Sequence, residues 1–278
     1  MILGDGWYRG YLAFNNNRAV YGNRLALLAM LRVEYRGGKV DIVGTDPEWK
    51  GTTGPILMSD IYMGETYDAR LEMPDWTKPG FDDSNWSSVV ESQPPDATLI
   101  ASAGPPVRRI NEIKPVAVLD TPEGDTVVDM GQNMVGRIRF QVEGDPGHAI
   151  TLQHAEVLDK EGNFYTENLR AAKQTVNYIL KGGGPETYEP HFTFQGFRYV
   201  KVQGWPGNLD RNDLTGIVIH SDMERTGEFE CSDPLVNQLQ HNIIWGQKGN
   251  FLDVPTDCPQ RDERLGCSEP AQRLKISS

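Results

Sequence analysis

Residues 138–142, Ile-Arg-Phe-Gln-Val, alternate apolar and polar side chains at every step, and the fold is decided by how that stretch is read. A period of two puts Ile138, Phe140 and Val142 on one face of a strand and Arg139 and Gln141 on the other, as in a half-buried sheet. Working outward, Ile150 and Leu152 repeat the pattern. In Phe197–Val202 the same period places Tyr199 on the face of Phe197. Arg24–Tyr35 is a long apolar run closed by a Gly37-Gly38 turn. Such runs recur between Gly, Pro, Asn and Asp punctuation through roughly the first two hundred residues, the spacing of β-sandwiches. The stretch 91–115, with Pro94-Pro95 and Pro105-Pro106, reads as an interdomain linker.

The period changes near residue 232. Ser232-Asp233-Pro234 supplies an N-cap followed by proline at the first helical position, ahead of Leu235, Val236, Leu239, Ile243 and Ile244. Gly249 or Asn250 would end this amphipathic helix, whose apolar stripe needs a neighbour to bury against. A mainly β chain is therefore expected, with two β-sandwich domains over residues 1–95 and 96–222 and a short C-terminal helical segment within 223–278.

Directly after the helix comes Asn250–Gly266, NFLDVPTDCPQRDERLG, which sets Asp253, Asp257, Asp262 and Glu263 beside Arg261 and Arg264 on a backbone stiffened by Pro255 and Pro259. Charged groups held this close perturb one another's protonation, the requirement of general acid and base chemistry. A surface ion-pair cluster fits the same residues equally well when nothing else is considered. The neighbours Asp262 and Glu263 are not expected to act as an acid–base pair. Adjacent side chains diverge by about 100° on a helix and point to opposite faces of a strand.

Composition narrows the partners. The formal net charge is −12 over 278 residues and the pI is near 4.9. No Lys/Arg cluster is present to neutralise phosphates, so neither nucleic acid nor an anionic membrane is expected as a partner. No apolar window is long enough to span a bilayer, and the N-terminus lacks the features of a signal peptide, so a cytoplasmic location is expected. Cys231, Cys258 and Cys267 fit no zinc or disulfide spacing. His148, His154, His191, His220 and His241 fit no metal motif and read as packing or polar residues. Gly182-Gly183-Gly184 reads as a turn rather than a phosphate loop, and no G-x-S-x-G elbow is present.

Three blocks together resemble the bacterial α-L-rhamnosidases of glycoside hydrolase family 78. GDGWYRG, TDPEWK, SDIYMGETYDAR and FDDSNW are similar to the N-terminal β-sandwich of that family. VVDMGQNMVGRIRFQV, HAEVLDKEGNFYTENLRAAKQT and FTFQGFRYVKVQG are similar to its concanavalin-like, jelly-roll sandwich. GEFECSDPLVNQLQHNIIWGQKGNFLDVPTDCPQRDERLG is similar to the opening of its (α/α)6 catalytic barrel.

The resemblance implies hydrolysis of terminal α-L-rhamnosides with inversion. Glu263 would be the general acid and Asp257, Arg261 and Asp262 would bind substrate. Asp5 and Asp60, with Glu65 near them, match a sandwich that binds calcium in some relatives, so calcium is an optional ion and no cofactor is required. The chain departs from the pattern at Cys267 and Pro270 and rejoins it at Ala271-Gln272. It also begins partway into the first sandwich and stops early in the barrel, before the general base, so a truncated chain with little or no activity of its own is expected. Trp7, Trp49, Trp76 and Trp86 are expected to pack rather than to stack on sugars. The alternative function is a non-catalytic carbohydrate-binding or assembly module that recognises a rhamnose-containing glycoside or polysaccharide and self-associates through the C-terminal helix.

Overall fold

The computed structural model describes residues 1–13, 16–93, 98–102 and 104–264. Pro94-Pro95, Cys267, Pro270, Ala271 and Gln272 lie outside the described residues. After a one-turn helix α1 (Gly6–Arg9) come β1 (Met30–Glu34), β2 (Val40–Gly44), β3 (Lys50–Gly51), β4 (Ile56–Asp60), β5 (Gly64–Asp68) and β6 (Ser87–Ser88). Then follow β7 (Val107–Ile113), β8 (Ala117–Asp120), β9 (Thr126–Val142), β10 (Ala149–Ala155), β11 (Thr175–Ile179), β12 (Glu186–Tyr188), β13 (Gln195–Gln203) and β14 (Leu214–Ser221). Helix α2 (Pro234–Gly249) leads into a tight hairpin of β15 (Phe251–Leu252) and β16 (Val254–Pro255). Among the described residues no helix is long and apolar enough to cross a membrane.

One ten-stranded sheet dominates, in the order β4-β5-β11-β10-β13-β9-β14-β7, with β8 and β12 also pairing to β9. Strand β9 is 17 residues long and exchanges partners along its length. Its first part pairs with β8 and β13, its middle with β14 and its end with β12. Changing partners in this way curls the sheet over a shared interior. The alternation read at residues 138–142 holds, with Ile138, Phe140 and Val142 buried, Arg139 half-buried and Gln141 exposed. Ile150 and Leu152 are buried as expected. Burying each such side chain contributes about 1.5–3 kcal/mol.

Two features differ from the sequence pattern. Tyr199 does not share the face of Phe197, because the register of β13 against β9 slips between Phe197 and Tyr199. Between these two residues the partner skips from Met134 to Asp129, so the extra residues lie on β9, and Phe197, Val200 and Val202 are buried while Tyr199 is only half-buried, beneath Arg198. Arg198 uses the bulge to fork onto Asp129 with two contacts of 2.8 Å. The second feature concerns the strands before residue 95. The β1–β2 and β3–β6 pairs stand apart, whereas β4 and β5 join the large sheet through parallel pairing of β5 with β11.

Two apolar clusters flank the sheet. The larger gathers Met130, Phe140, Leu152, Tyr178, Phe197 and Leu214. The second gathers Ile61, Tyr62, Val135, Leu169, Phe194, Ile217 and Leu252, and so ties the N-terminal third, the sandwich and the hairpin after α2 into one contact region. Strand β14 is buried along all eight residues because each of its faces serves one cluster. Helix α2 begins as its sequence indicates, with the Asp233 carboxylate accepting from the Leu235 amide at 2.8 Å and proline at its start. Its stripe stays open, with Leu235 79% and Leu239 57% exposed.

Candidate active site

The loop from Asp253 to Arg264 lies against the second apolar cluster, and the backbone explains how. Asp253 takes a left-handed conformation, φ 66°, at the tip of the β15–β16 hairpin, and its amide donates to the Ser221 hydroxyl at 2.9 Å. Thr256 is fully buried, with its amide donating to the Asn250 carbonyl at 2.7 Å. Gly196 on β13 leaves room for the loop, since a Cβ there would sit 3.0 Å from the Gln260 nitrogen.

The end of the loop is held from inside the sandwich. Arg264 is fully buried, its guanidinium lies over the rings of Tyr62 and Phe194, and it donates to the carbonyls of Ile61 and Phe194. Burial lowers its pKa to about 9, so it remains a cation at neutral pH. The Tyr62 hydroxyl donates to the Glu263 carbonyl at 2.8 Å and accepts from the Ala13 amide at 3.0 Å. Burial pushes that phenol up to about 12.

Of the residues expected from sequence, Asp257, Arg261 and Glu263 come together. Arg261 Nη2 donates to Glu263 Oε2 at 2.8 Å. Asp257, Cys258 and Glu263 each bring one donor atom into a group whose atoms lie within 4.8 Å of one another. Because guanidinium groups already occupy the Glu263 oxygen, we read this trio as an ion-paired acid cluster. Burial pushes the Cys258 thiol up to about 11, which leaves it neutral at pH 7. Asp262 is buried and pairs through Oδ1 with Arg170 Nε at 2.9 Å. The same arginine approaches Glu263 Oε2 at 3.6 Å through Nη1. The expected divergence of Asp262 from Glu263 does not hold, because the segment is neither helix nor strand and both carboxylates lie against one guanidinium.

Behind the cluster a cavity of about 400 Å³ opens between β9, the end of α2 and the loop, lined among others by Asn133, Glu156, Trp245, Asn250, Asp257 and Gln260. Burial holds the Glu156 carboxyl above its usual range, although Asn133 donates to it at 3.0 Å.

The calcium candidates do not form a cation cage. Asp5 is held by Arg9, at 2.5 Å, and by Arg18, at 2.8 Å. Asp60 spends its oxygens on the amides of Tyr11, Tyr62 and Met63 at 2.7–3.0 Å. Glu65 is buried under Ser59, Tyr188, His191 and Phe192. Each carboxylate is already committed to a protein partner, two of them guanidiniums on Asp5, so these residues do not fit a calcium ion. Sequence reasoning missed Arg170 and the burial of Arg264, and no local pattern marks either residue.

Comparison with known proteins covers almost the whole chain. Residues 1–111 match the family model described as the alpha-L-rhamnosidase N-terminal domain. Residues 119–220 match the bacterial alpha-L-rhamnosidase concanavalin-like domain, and residues 224–277 match the bacterial alpha-L-rhamnosidase 6 hairpin glycosidase domain. An alpha-L-rhamnosidase of Streptomyces avermitilis is 48% identical over 266 residues, which is 95% of this chain and 26% of that protein. Its crystal structure in complex with L-rhamnose superposes with a TM-score of 0.90 over 94% of this chain. The native alpha-L-rhamnosidase of Aspergillus terreus is 47% identical with a TM-score of 0.92, over 95% of this chain and 31% of that one. A Formosa agariphila alpha-L-rhamnosidase is 39% identical over 275 residues, 96% of this chain and 29% of its own length. The chain thus spans a little over a quarter of the curated relatives it matches.

Proposed function

Because this chain belongs to the bacterial α-L-rhamnosidase family, glycoside hydrolase family 78, we propose that its 253–264 loop is the acid side of a centre that hydrolyses terminal α-L-rhamnosides with inversion. Glu263 donates the proton to the leaving oxygen, and Asp257, Arg261 and Asp262 hold the sugar. The observation that carries this reading is the convergence of Asp257, Arg261 and Glu263 within one loop packed over β13.

An inverting glycosidase also needs a second carboxyl group about 6.5–9.5 Å from the first, with room for a water between them. The oxygens of Asp257 and Glu263 lie within 4.8 Å, too close for that water, so Asp257 does not fit the general base. Among the described residues none is assigned that part. A general base contributes about a hundredfold or more. The 278-residue chain is therefore expected to turn over an aryl α-L-rhamnoside weakly or not at all. The test compares the purified chain with its Glu263→Gln variant. Residual turnover lost in the variant supports the assignment, and robust turnover that the variant leaves unchanged removes Glu263 from the chemistry.

A second reading, a carbohydrate-binding or assembly module, draws support from the open stripe of Leu235, Leu239 and Ile243 on α2. Saturable binding of L-rhamnose without any turnover would favour it.

A further inference from the structure

Arg170 was given no role by the sequence, yet its guanidinium pairs with both Asp262 and Glu263. It follows a single 3-10 turn, Glu167–Leu169, in the connection between β10 and β11. We propose that Arg170 is a positioning residue of the acid loop: the sandwich reaches across to the proton donor through this guanidinium and fixes the direction of the Glu263 carboxyl group.

Three observations carry the proposal. The first is geometric. Nε lies 2.9 Å from Asp262 Oδ1 and Nη1 lies 3.6 Å from Glu263 Oε2, so one planar cation spans two consecutive carboxylates that would otherwise repel each other. The second is conformational. Arg170 sits at φ 58°, ψ −118°, a backbone region that side chains bearing a Cβ rarely adopt. Strain of this kind persists only where the surroundings over-determine it, and it gathers at functional sites. Here the surroundings are the buried neighbours Leu169 and Ala172, both packed in the cluster that also holds Ile61 and Leu252. The third is electrostatic. Glu263 faces Arg261 at 2.8 Å on its own loop, Asp257 and Asp262 beside it and the Cys258 thiol at 3.8 Å. Arg170 is the cation that approaches it from the sandwich, and Asp262, only 5% exposed, depends on the same guanidinium.

The proposal rests on the reading of Glu263 as proton donor, and its test is separable from that reading. The full chain, labelled with carbon-13 in its Glu and Asp side chains, is compared by carboxyl NMR with the Arg170→Ala and Arg170→Lys variants at temperatures where all are folded. The expected result is that Arg170→Ala moves the Glu263 carboxyl resonance and makes its methylene groups mobile, while Arg170→Lys restores part of both. An arginine that merely braces the fold would lower the unfolding temperature and leave the Glu263 signature in place, which overturns the proposal. Should Arg170→Ala fail to fold, Arg170→Lys decides alone, because it keeps the charge and loses the fork, and an unmoved Glu263 resonance again overturns it. If the resonance responds but Glu263→Gln leaves rhamnoside turnover unchanged, the positioning contact stands and the donor assignment is what fails.

Discussion

His154 shows how much a single residue can hide from a sequence reading. It was expected to be an ordinary packing histidine, and it does pack, edge-on to Phe197 at 4.7 Å with Nδ1 against the Gln174 carbonyl at 2.7 Å. Complete burial lowers its pKa to about 4. The folded chain therefore holds His154 neutral where the unfolded chain, with a pKa near 6.5, already takes up a proton. Stability is intact above about pH 6.5 and drains away as pH falls toward 4, by an upper bound of about 3 kcal/mol. Urea midpoints at pH 7 and pH 4.5 should diverge in the parent chain and converge in His154→Asn, whatever that change does to absolute stability. Equal losses in both chains would assign the acid sensitivity elsewhere. The acidic and basic character of the 253–264 loop was legible because its residues are neighbours in sequence. Arg170 and the buried Arg264 were not, because their partners come from distant segments and nothing in the surrounding residues marks the pairing.

Among the elements, legibility followed regularity. Helix α2 was readable from its cap and stripe, and the strands around Phe140 and Leu152 from their alternation. Tyr199 was misplaced because a bulge breaks the period of two, and a bulge caused by the register of a partner strand leaves no mark in the strand's own residues. Strand β5 offers a sharper test. Gly64 opens it at φ 105°, and a Cβ there would run into the Thr175 backbone on β11. Both the backbone conformation and the close approach demand glycine. Gly64→Ala should cost more than about 2 kcal/mol in the urea unfolding midpoint, with loss of amide protection concentrated in β5 and β11. A loss confined to a few tenths would mean that the two strands separate easily.

For the molecule as a whole, the division into an early and a later unit was plausible from the prolines, but the strands on either side of them share a sheet. Parallel pairing has no turn and no adjacent partner to announce it, so that feature was beyond sequence reasoning. Glu65 fastens the union. Burial raises its carboxyl, yet His191 and Tyr188, together with the Phe192 amide, outweigh that and hold it below the usual carboxylate range. Its contribution is thus present above the unfolded pKa of 4.5 and is lost as pH falls through the lower folded value. Glu65→Ala strands the amides of His191 and Phe192 in the interior and should cost about 3 kcal/mol or more, seen as a lower urea midpoint or as two separate transitions. A variant that melts like the parent would show that the two halves hold together without it. The β5–β11 contact also bears on how the polypeptide is born. Thr66 meets Asn177 across a separation of 111 residues, so a ribosome releases the β4–β5 ribbon long before the strand it must join exists. Until then its outer rim is bare and open to a stranger's strand, which makes this ribbon the place where a holdase should be found on nascent chains.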